Sequence, residues 1–115
     1  MDADVIDPAT FAELQETAGA EFVAELVATF LEEAPLMLAE LRGARAAAQD
    51  ERFRRGAHSL KSNCSTFGAL GLAAMARELE LRGLAADTAQ DAAALDALEA
   101  AYAQVAAALR ELTHG

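Results

Sequence analysis

Residues 53–67 read FRRGAHSLKSNCSTF, and the spacing of the apolar side chains in this stretch decides the fold. The apolar positions follow one another at intervals of four, three, four and three, namely Phe53, Ala57, Leu60, Cys64 and Phe67. In an α-helix such positions form one narrow stripe, so the stretch is predicted to be an amphipathic helix whose stripe faces a core. At roughly 100° per residue, His58 lies about 140° from the centre of that stripe and is predicted to point into solvent.

The rest of the chain has the same helical character, because alanine, leucine and glutamate dominate and no alternating strand pattern is present. Asp7-Pro8 predicts an N-cap followed by a short helix that runs to about Ala18 and stops at Gly19. The other predicted helices run from Ala20 to about Ala48, from Glu51 to about Phe67, from Leu70 to Arg82 and from Asp91 to Leu112.

Several residues predict where these helices bend or end. Pro35 is expected to kink or restart the second helix, and Asp50 is expected to be the N-cap of the third. Gly68 and Gly83 are expected to end the third and fourth helices, and a polar break is expected around Asp87-Thr88.

Four long amphipathic helices with short connections pack most simply as an up-down-up-down four-helix bundle, with the short first helix at one end. The predicted fold class is therefore all-α. At 115 residues, the chain is expected to be a single domain over residues 1–115.

Composition and charge narrow the classes of function. A hydrophobic fraction of 54% without an apolar run near 18 residues predicts a folded, soluble chain with no membrane span. A net charge of -10 disfavours nucleic-acid and membrane binding, so proteins are the expected partners. The acidic start lacks the features of a secretory signal, which predicts a cytoplasmic location. One cysteine and two histidines predict no internal disulfide and no structural metal.

The few cations cluster along the chain. Within residues 42–61 the only acids are Asp50 and Glu51, and this stretch is predicted to form a locally basic face that docks an acidic site on a partner. The clustered cations are Arg42, Arg45, Arg52, Arg54, Arg55 and Lys61.

The neighbours of His58 indicate phosphoryl chemistry. An ordinary imidazole, with a pKa of about 6.5, is a nucleophile at cytoplasmic pH. Residues three and four apart on a helix lie side by side, so Lys61 is placed to offset the charge of a phosphoryl group on the ring. Phosphoryl transfer also needs a metal and further groups, which must come from a partner. Four more residues are candidates for docking that partner: Arg54 and Arg55 one turn before His58, and the small Ser62 and Ser65 after it.

The run AHSLKSNCSTFGA over residues 57–69 resembles the signature of histidine-containing phosphotransfer (HPt) domains, approximately A-H-x-L-K-[GS]-x-[SA]-x-x-[hydrophobic]-G-A. The resemblance extends to Asp7-Pro8, to residues 30–35 and to residues 72–80. Ser62 stands where the family most often has glycine, and we expect slightly less room for a docked partner as a result.

The resemblance implies that His58 is phosphorylated by an aspartate on a receiver domain and donates to another, and that Lys61 stabilises the phosphohistidine. The implied partners are receiver domains of hybrid sensor kinases and response regulators. Mg²⁺ is expected on the receiver, and no cofactor is expected in this chain. The protein is then a phosphocarrier, expected to be monomeric, rather than a self-sufficient enzyme, and it has no kinase active site.

Two other classes of function stay open at this point. The same face of the helix would serve a non-phosphorylated adaptor that binds a receiver or kinase and competes for it. The chain would also serve as a purely structural or dimerising bundle, which predicts a large exposed apolar patch. A reactive Cys64 is rejected because it lies on the core stripe, and His114, near the end of the sequence, is assigned no role.

Overall fold

The structure is a computed structural model that describes residues 5–113, and this part of the chain contains five α-helices and no strand. The expectations about residues 1–4 and about His114 therefore lie outside the described residues. The helices are α1 (Pro8–Ala18), α2 (Ala20–Ala46), α3 (Asp50–Phe67), α4 (Leu70–Arg82) and α5 (Thr88–Thr113). The all-α prediction is confirmed.

Helices α2 to α5 contact one another in a ring, in which α3 packs between α2 and α4 while α5 packs against α4 and α2. Helix α1 lies against α2 and α3. The backbone N–H of Asp7 donates to the carbonyl of Gly68 at 2.8 Å, so the start of α1 is tied to the turn that joins α3 to α4.

The predicted start of α1 and the predicted C-terminal ends of α1, α3 and α4 are confirmed. The carboxylate of Asp7 accepts a hydrogen bond from the backbone N–H of Thr10 at 3.0 Å, as an N-cap does. Gly68 ends α3 with φ of +84° in the left-handed region, and its backbone N–H donates to the carbonyl of Ser65.

Pro35 does not interrupt α2, which is one helix of 27 residues, so the expected restart is wrong. Proline lacks the N–H that would bind the carbonyl four residues earlier, which here belongs to Leu31. The hydroxyl of Tyr102 on α5 donates a long hydrogen bond of 3.5 Å to this carbonyl. Packing against α5 therefore compensates in part for the missing helical bond.

Two helix starts differ from the prediction. The N-cap of α3 is Gln49, and Asp50 is already helical because its carboxylate is used elsewhere, on Arg54 and on the backbone N–H of Leu84. Helix α5 starts at Thr88 rather than Asp91, since the Asp87 side chain accepts from the N–H of Ala89 at 3.0 Å.

The core lies inside the ring of helices. The predicted stripe of α3 is buried throughout, and Phe30 of α2 packs against Phe67 of α3 and Tyr102 of α5, with ring centroids 5.4 and 6.0 Å apart. Helix α5 is the one helix of the described part that is long and apolar enough by composition to cross a membrane. Its leucines at 95, 98 and 109 are buried in the core, while 28% of its most apolar 18-residue window is buried in all.

Candidate functional site

His58 stands on the outer face of α3, on the side opposite the buried stripe. Its side chain is 56% exposed, as the helical spacing predicts. Ala57 and Leu60 beside it in sequence are fully buried, and they fix the rotation of the helix that turns the imidazole outward.

Glu80 on α4 orients the imidazole of His58. Its Oε2 lies 2.8 Å from Nδ1 of His58. A carboxylate can only accept, so Nδ1 carries the proton in this pair and Nε2 of the neutral ring keeps a free lone pair. The hydrogen bond therefore selects which nitrogen is available as a nucleophile.

Lys61 approaches the same carboxylate from the next turn of α3. Its Nζ lies 3.0 Å from Oε1 of Glu80, so the two side chains form an ion pair. This oxygen is shielded from solvent, and the angle of the contact is outside the range of a hydrogen bond. Lys61 and then His58 lower the pKa of Glu80 against the opposing effect of burial, so this carboxyl is held in its ionised form. His58 and Lys61 thus share one anionic partner, as their spacing on α3 allows.

The four docking candidates occupy different settings. Ser62 and Ser65 are exposed and leave the face of α3 beyond His58 free of bulky side chains. Arg55 is 73% exposed, with a loose 3.6 Å contact to Glu51. The guanidinium of Arg54 instead lies against the end of α4, where it donates to backbone carbonyls.

The expectation of a locally basic face is wrong, because each of the six clustered cations has an acidic partner within the chain. Arg42 and Arg45 point toward α5, where they pair with Glu99 and Asp91 at 2.7 and 2.8 Å. The other four cations lie on α3. Arg52 pairs with Glu40 of α2 and Lys61 with Glu80 of α4. Arg54 and Arg55 pair with Asp50 and Glu51, one turn earlier on α3.

A shallow groove runs between α2 and α3 beside this site. Leu36 at its edge is 71% exposed, and Gly56 allows the two helices to approach closely, since a Cβ there would lie 3.2 Å from Leu41 Cδ2. The side chains that line the groove are Glu33, Leu36, Met37, Glu40, Gly56 and Ser59.

Cys64 lies in the core and not on this surface. The thiol of Cys64 is fully buried, and burial raises its pKa to about 12, so the thiolate does not form at neutral pH. Over residues 5–113, no three His, Cys, Asp or Glu side chains come together in a way that would hold a metal ion.

Comparison with known proteins adds to this geometry. The sequence model of the Hpt domain matches residues 25–108, which is most of the chain. This chain belongs to the Hpt domain family. A solved structure, histidine-containing phosphotransfer protein B (HptB) from Pseudomonas aeruginosa PAO1, is similar over 98% of this chain and 97% of its own, with a TM-score of 0.84 and 26% sequence identity. A comparison with curated proteins gave no significant match.

As an Hpt domain, the protein has a histidine phosphotransfer role in phosphorelays, where such domains interact with receiver domains. The sequence prediction of the family and of this role is confirmed.

Sequence reasoning missed the part of Glu80 in this Hpt domain. Glu80 is 22 residues from His58, and nothing in the spacing of α4 distinguishes it from an ordinary solvent-facing acid. The two residues meet because α4 packs against α3. The sequence indicates that the two helices pack but does not give the register between them.

Proposed function

We propose that His58 is the phosphoacceptor of this Hpt domain and that it shuttles a phosphoryl group between receiver aspartates. The observation that carries the proposal is an exposed imidazole whose Nδ1 is bound to Glu80, which leaves Nε2 as the nucleophile. In the transfer, the Nε2 lone pair forms the N–P bond while the P–O bond to the receiver aspartate breaks and that aspartate leaves as a carboxylate. No proton has to be removed from Nε2, because the ring proton is on Nδ1.

Lys61 is proposed to stabilise the phosphohistidine. Its ammonium already lies one helical turn from His58 and is held near the ring by Glu80 at 3.0 Å. A phosphoryl group on the ring adds negative charge beside it, which favours a shift of the ammonium toward the phosphoryl oxygens. The Mg²⁺ needed for the transfer is proposed to come from the receiver, so the chain acts as a phosphocarrier.

The receiver is proposed to dock over the groove between α2 and α3, by analogy with the family, through its first helix. The exposed Leu36 and the half-buried Met37 supply apolar contact area, and Ser62 and Ser65 leave room beside His58. Arg55 is a candidate for a charged contact at the edge of this surface.

We further propose an up-down-up-down arrangement of α2 to α5 with α1 at one end, forming one monomeric domain over residues 1–115 in the cytoplasm. The ring of contacts among α2, α3, α4 and α5 supports this arrangement, and short connections between successive helices agree with it.

Incubation with a phosphorylated receiver tests the phosphoacceptor. We expect acid-labile label on the wild-type protein and none on the His58→Gln variant. Label that persists in His58→Gln contradicts the proposed site. Binding of the receiver without any label on the wild type favours the non-phosphorylated adaptor instead.

A further inference from the structure

The C-terminal end of α4 is held by a side chain of α3. The last carbonyls of a helix have no partner within the helix. The Nη1 of Arg54 donates to the carbonyls of Glu80 and Leu81 at 3.1 and 3.0 Å, and its Nη2 donates to the carbonyl of Arg82 at 3.2 Å. One guanidinium therefore caps three consecutive carbonyls, and its positive charge lies where the helix dipole is negative.

Asp50 fixes the guanidinium in this position. Its Oδ2 accepts from Nε of Arg54 at 2.8 Å, and its Oδ1 accepts from the backbone N–H of Leu84 at 2.8 Å. Gly83 lies directly beneath this pair, with φ of +72°, and a Cβ at this residue would overlap both the guanidinium and the carboxylate. The turn after α4 is thus built closely around the Asp50–Arg54 pair.

Three side chains of α3 converge on a single residue of α4. Arg54, His58 and Lys61 are spaced by four and three residues, so they lie along one face of α3. Arg54 binds the backbone carbonyl of Glu80, whereas His58 and Lys61 contact its carboxylate. Glu80 is consequently fixed at both its main chain and its side chain by the helix that carries the histidine.

We propose that Arg54 is a positioning residue for phosphotransfer, which holds the last turn of α4 so that Glu80 stays on Nδ1 of His58. The inference rests on the proposed function of His58 and deepens it. Arg54 acts through Glu80 and does not touch the phosphoryl group, because four hydrogen bonds already direct its guanidinium to Asp50 and to the end of α4. This assignment replaces its expected part in docking a partner.

The ratio of the two neutral tautomers of His58 tests the proposal directly. It is measured by long-range ¹H–¹⁵N correlation spectra at about pH 8, where an ordinary imidazole is neutral. We expect Nδ1–H to predominate in the wild type. In Arg54→Ala its ratio to Nε2–H is expected to fall about fivefold, which is the effect of losing the one hydrogen bond between Glu80 and Nδ1 of His58. Arg55→Ala removes the same charge from the next residue of α3 and is expected to leave the tautomer ratio unchanged.

A folded Arg54→Ala protein with the wild-type tautomer ratio overturns the proposal, as does an equal change in Arg55→Ala. If Arg54→Ala does not fold, Arg54→Gln decides in the same way, because it keeps a polar N–H donor but is too short to span three carbonyls. The spectra do not depend on phosphorylation. Failure of the wild type to take label on His58 therefore contradicts the proposed function, while the tautomer ratio still reports on Arg54.

Discussion

Nδ1 of His58 and Oε2 of Glu80 lie 2.8 Å apart, although the two residues belong to different helices and are separated by 22 positions. The ring is thereby bound on Nδ1, while its side chain as a whole is 56% exposed. The hydrogen bond holds the ring in one orientation, which reduces the entropy that an encounter with a partner has to remove.

Substitution of Glu80 is predicted to slow phosphorylation of His58. Glu80→Ala removes the acceptor that keeps the proton on Nδ1, and we expect the rate constant for transfer from a phosphorylated receiver to fall about tenfold, in the range of one charge-assisted hydrogen bond. Quench-flow measurement of label on the protein gives this rate constant. Glu78→Ala, an exposed acid on the same helix, is the matched control. Equal rates for Glu80→Ala and wild type would show that the carboxylate does not orient the nucleophile.

Loss of Lys61 is predicted to shift the phosphotransfer equilibrium toward the receiver. In Lys61→Ala the phosphohistidine has lost its neighbouring cation, and we expect the ratio of phosphorylated His58 to phosphorylated receiver to fall about tenfold. Lys61→Arg keeps the charge and is expected to recover most of this ratio. The measurement is the distribution of label after equilibration, and an unchanged distribution in Lys61→Ala contradicts the assigned role.

Asp91 is predicted to be the most important single carboxylate for stability. It is fully buried and accepts from Arg45, Arg82 and the N–H of Ala85 at 2.8, 2.9 and 2.9 Å, so it joins α2, α4 and α5. We expect Asp91→Asn to lower the free energy of unfolding by about 2 to 4 kcal/mol at neutral pH, because two guanidinium groups lose their counter-charge. Asp96→Asn, which removes an exposed partner of Arg42, is expected to cost about 0.5 kcal/mol. Urea denaturation measures both values, and equal losses would be inconsistent with a special role for the buried group.

The contribution of Asp91 is predicted to disappear in acid. Burial alone would raise its pKa, but the hydrogen bonds from Arg45, Ala85 and Arg82 outweigh burial and hold the pKa below the ordinary value of 3.8. The unfolded chain then binds this proton more readily than the folded chain. The stabilisation is therefore complete above the ordinary value and is lost as the pH falls through the lower folded-state pKa. Denaturation curves at a series of acidic pH values are expected to bring wild type and Asp91→Asn closer together, and a constant difference would contradict this linkage.

Gly68 and Gly71 are predicted to respond in opposite directions to alanine. Gly68 has φ of +84°, and a Cβ there would lie 3.0 Å from Thr10 Cβ and 3.1 Å from the carbonyl of Asp7, so Gly68→Ala should cost about 2 kcal/mol of stability. Gly71 is helical with no atom within 4 Å of a Cβ, and Gly71→Ala should stabilise the protein by about 0.5 kcal/mol. Thermal unfolding compares the two variants. A neutral Gly68→Ala would mean that the turn between α3 and α4 tolerates a side chain.

Local sequence patterns were sufficient to predict the helices and the exposure of His58. The stripe from Phe53 to Phe67 fixed the rotation of α3, and the glycines at 68 and 83 ended helices because each has a backbone conformation that other residues avoid. The restart expected at Pro35 was wrong, and the group that compensates for the lost helical bond, Tyr102, belongs to a helix that is distant in sequence.

The parts of the site that depend on register between helices could not be predicted. The roles of Glu80, Arg54 and Asp91 come from contacts between α3 and α4 or among α2, α4 and α5, and no spacing along one helix specifies them. The same limit explains why the expectation of a locally basic face was wrong. Arg54 and Arg55 pair with acids of α3 itself, but the sequence gives no sign of the acids that other helices bring to the remaining four cations.

His58 belongs to the middle of an 18-residue helix whose inner side is packed against the core. Its Cα is consequently fixed, and the two torsions of its own side chain are the motion left to the ring. The packing of α3 therefore sets where the imidazole stands before any other molecule arrives, and only its rotation is left to adjust.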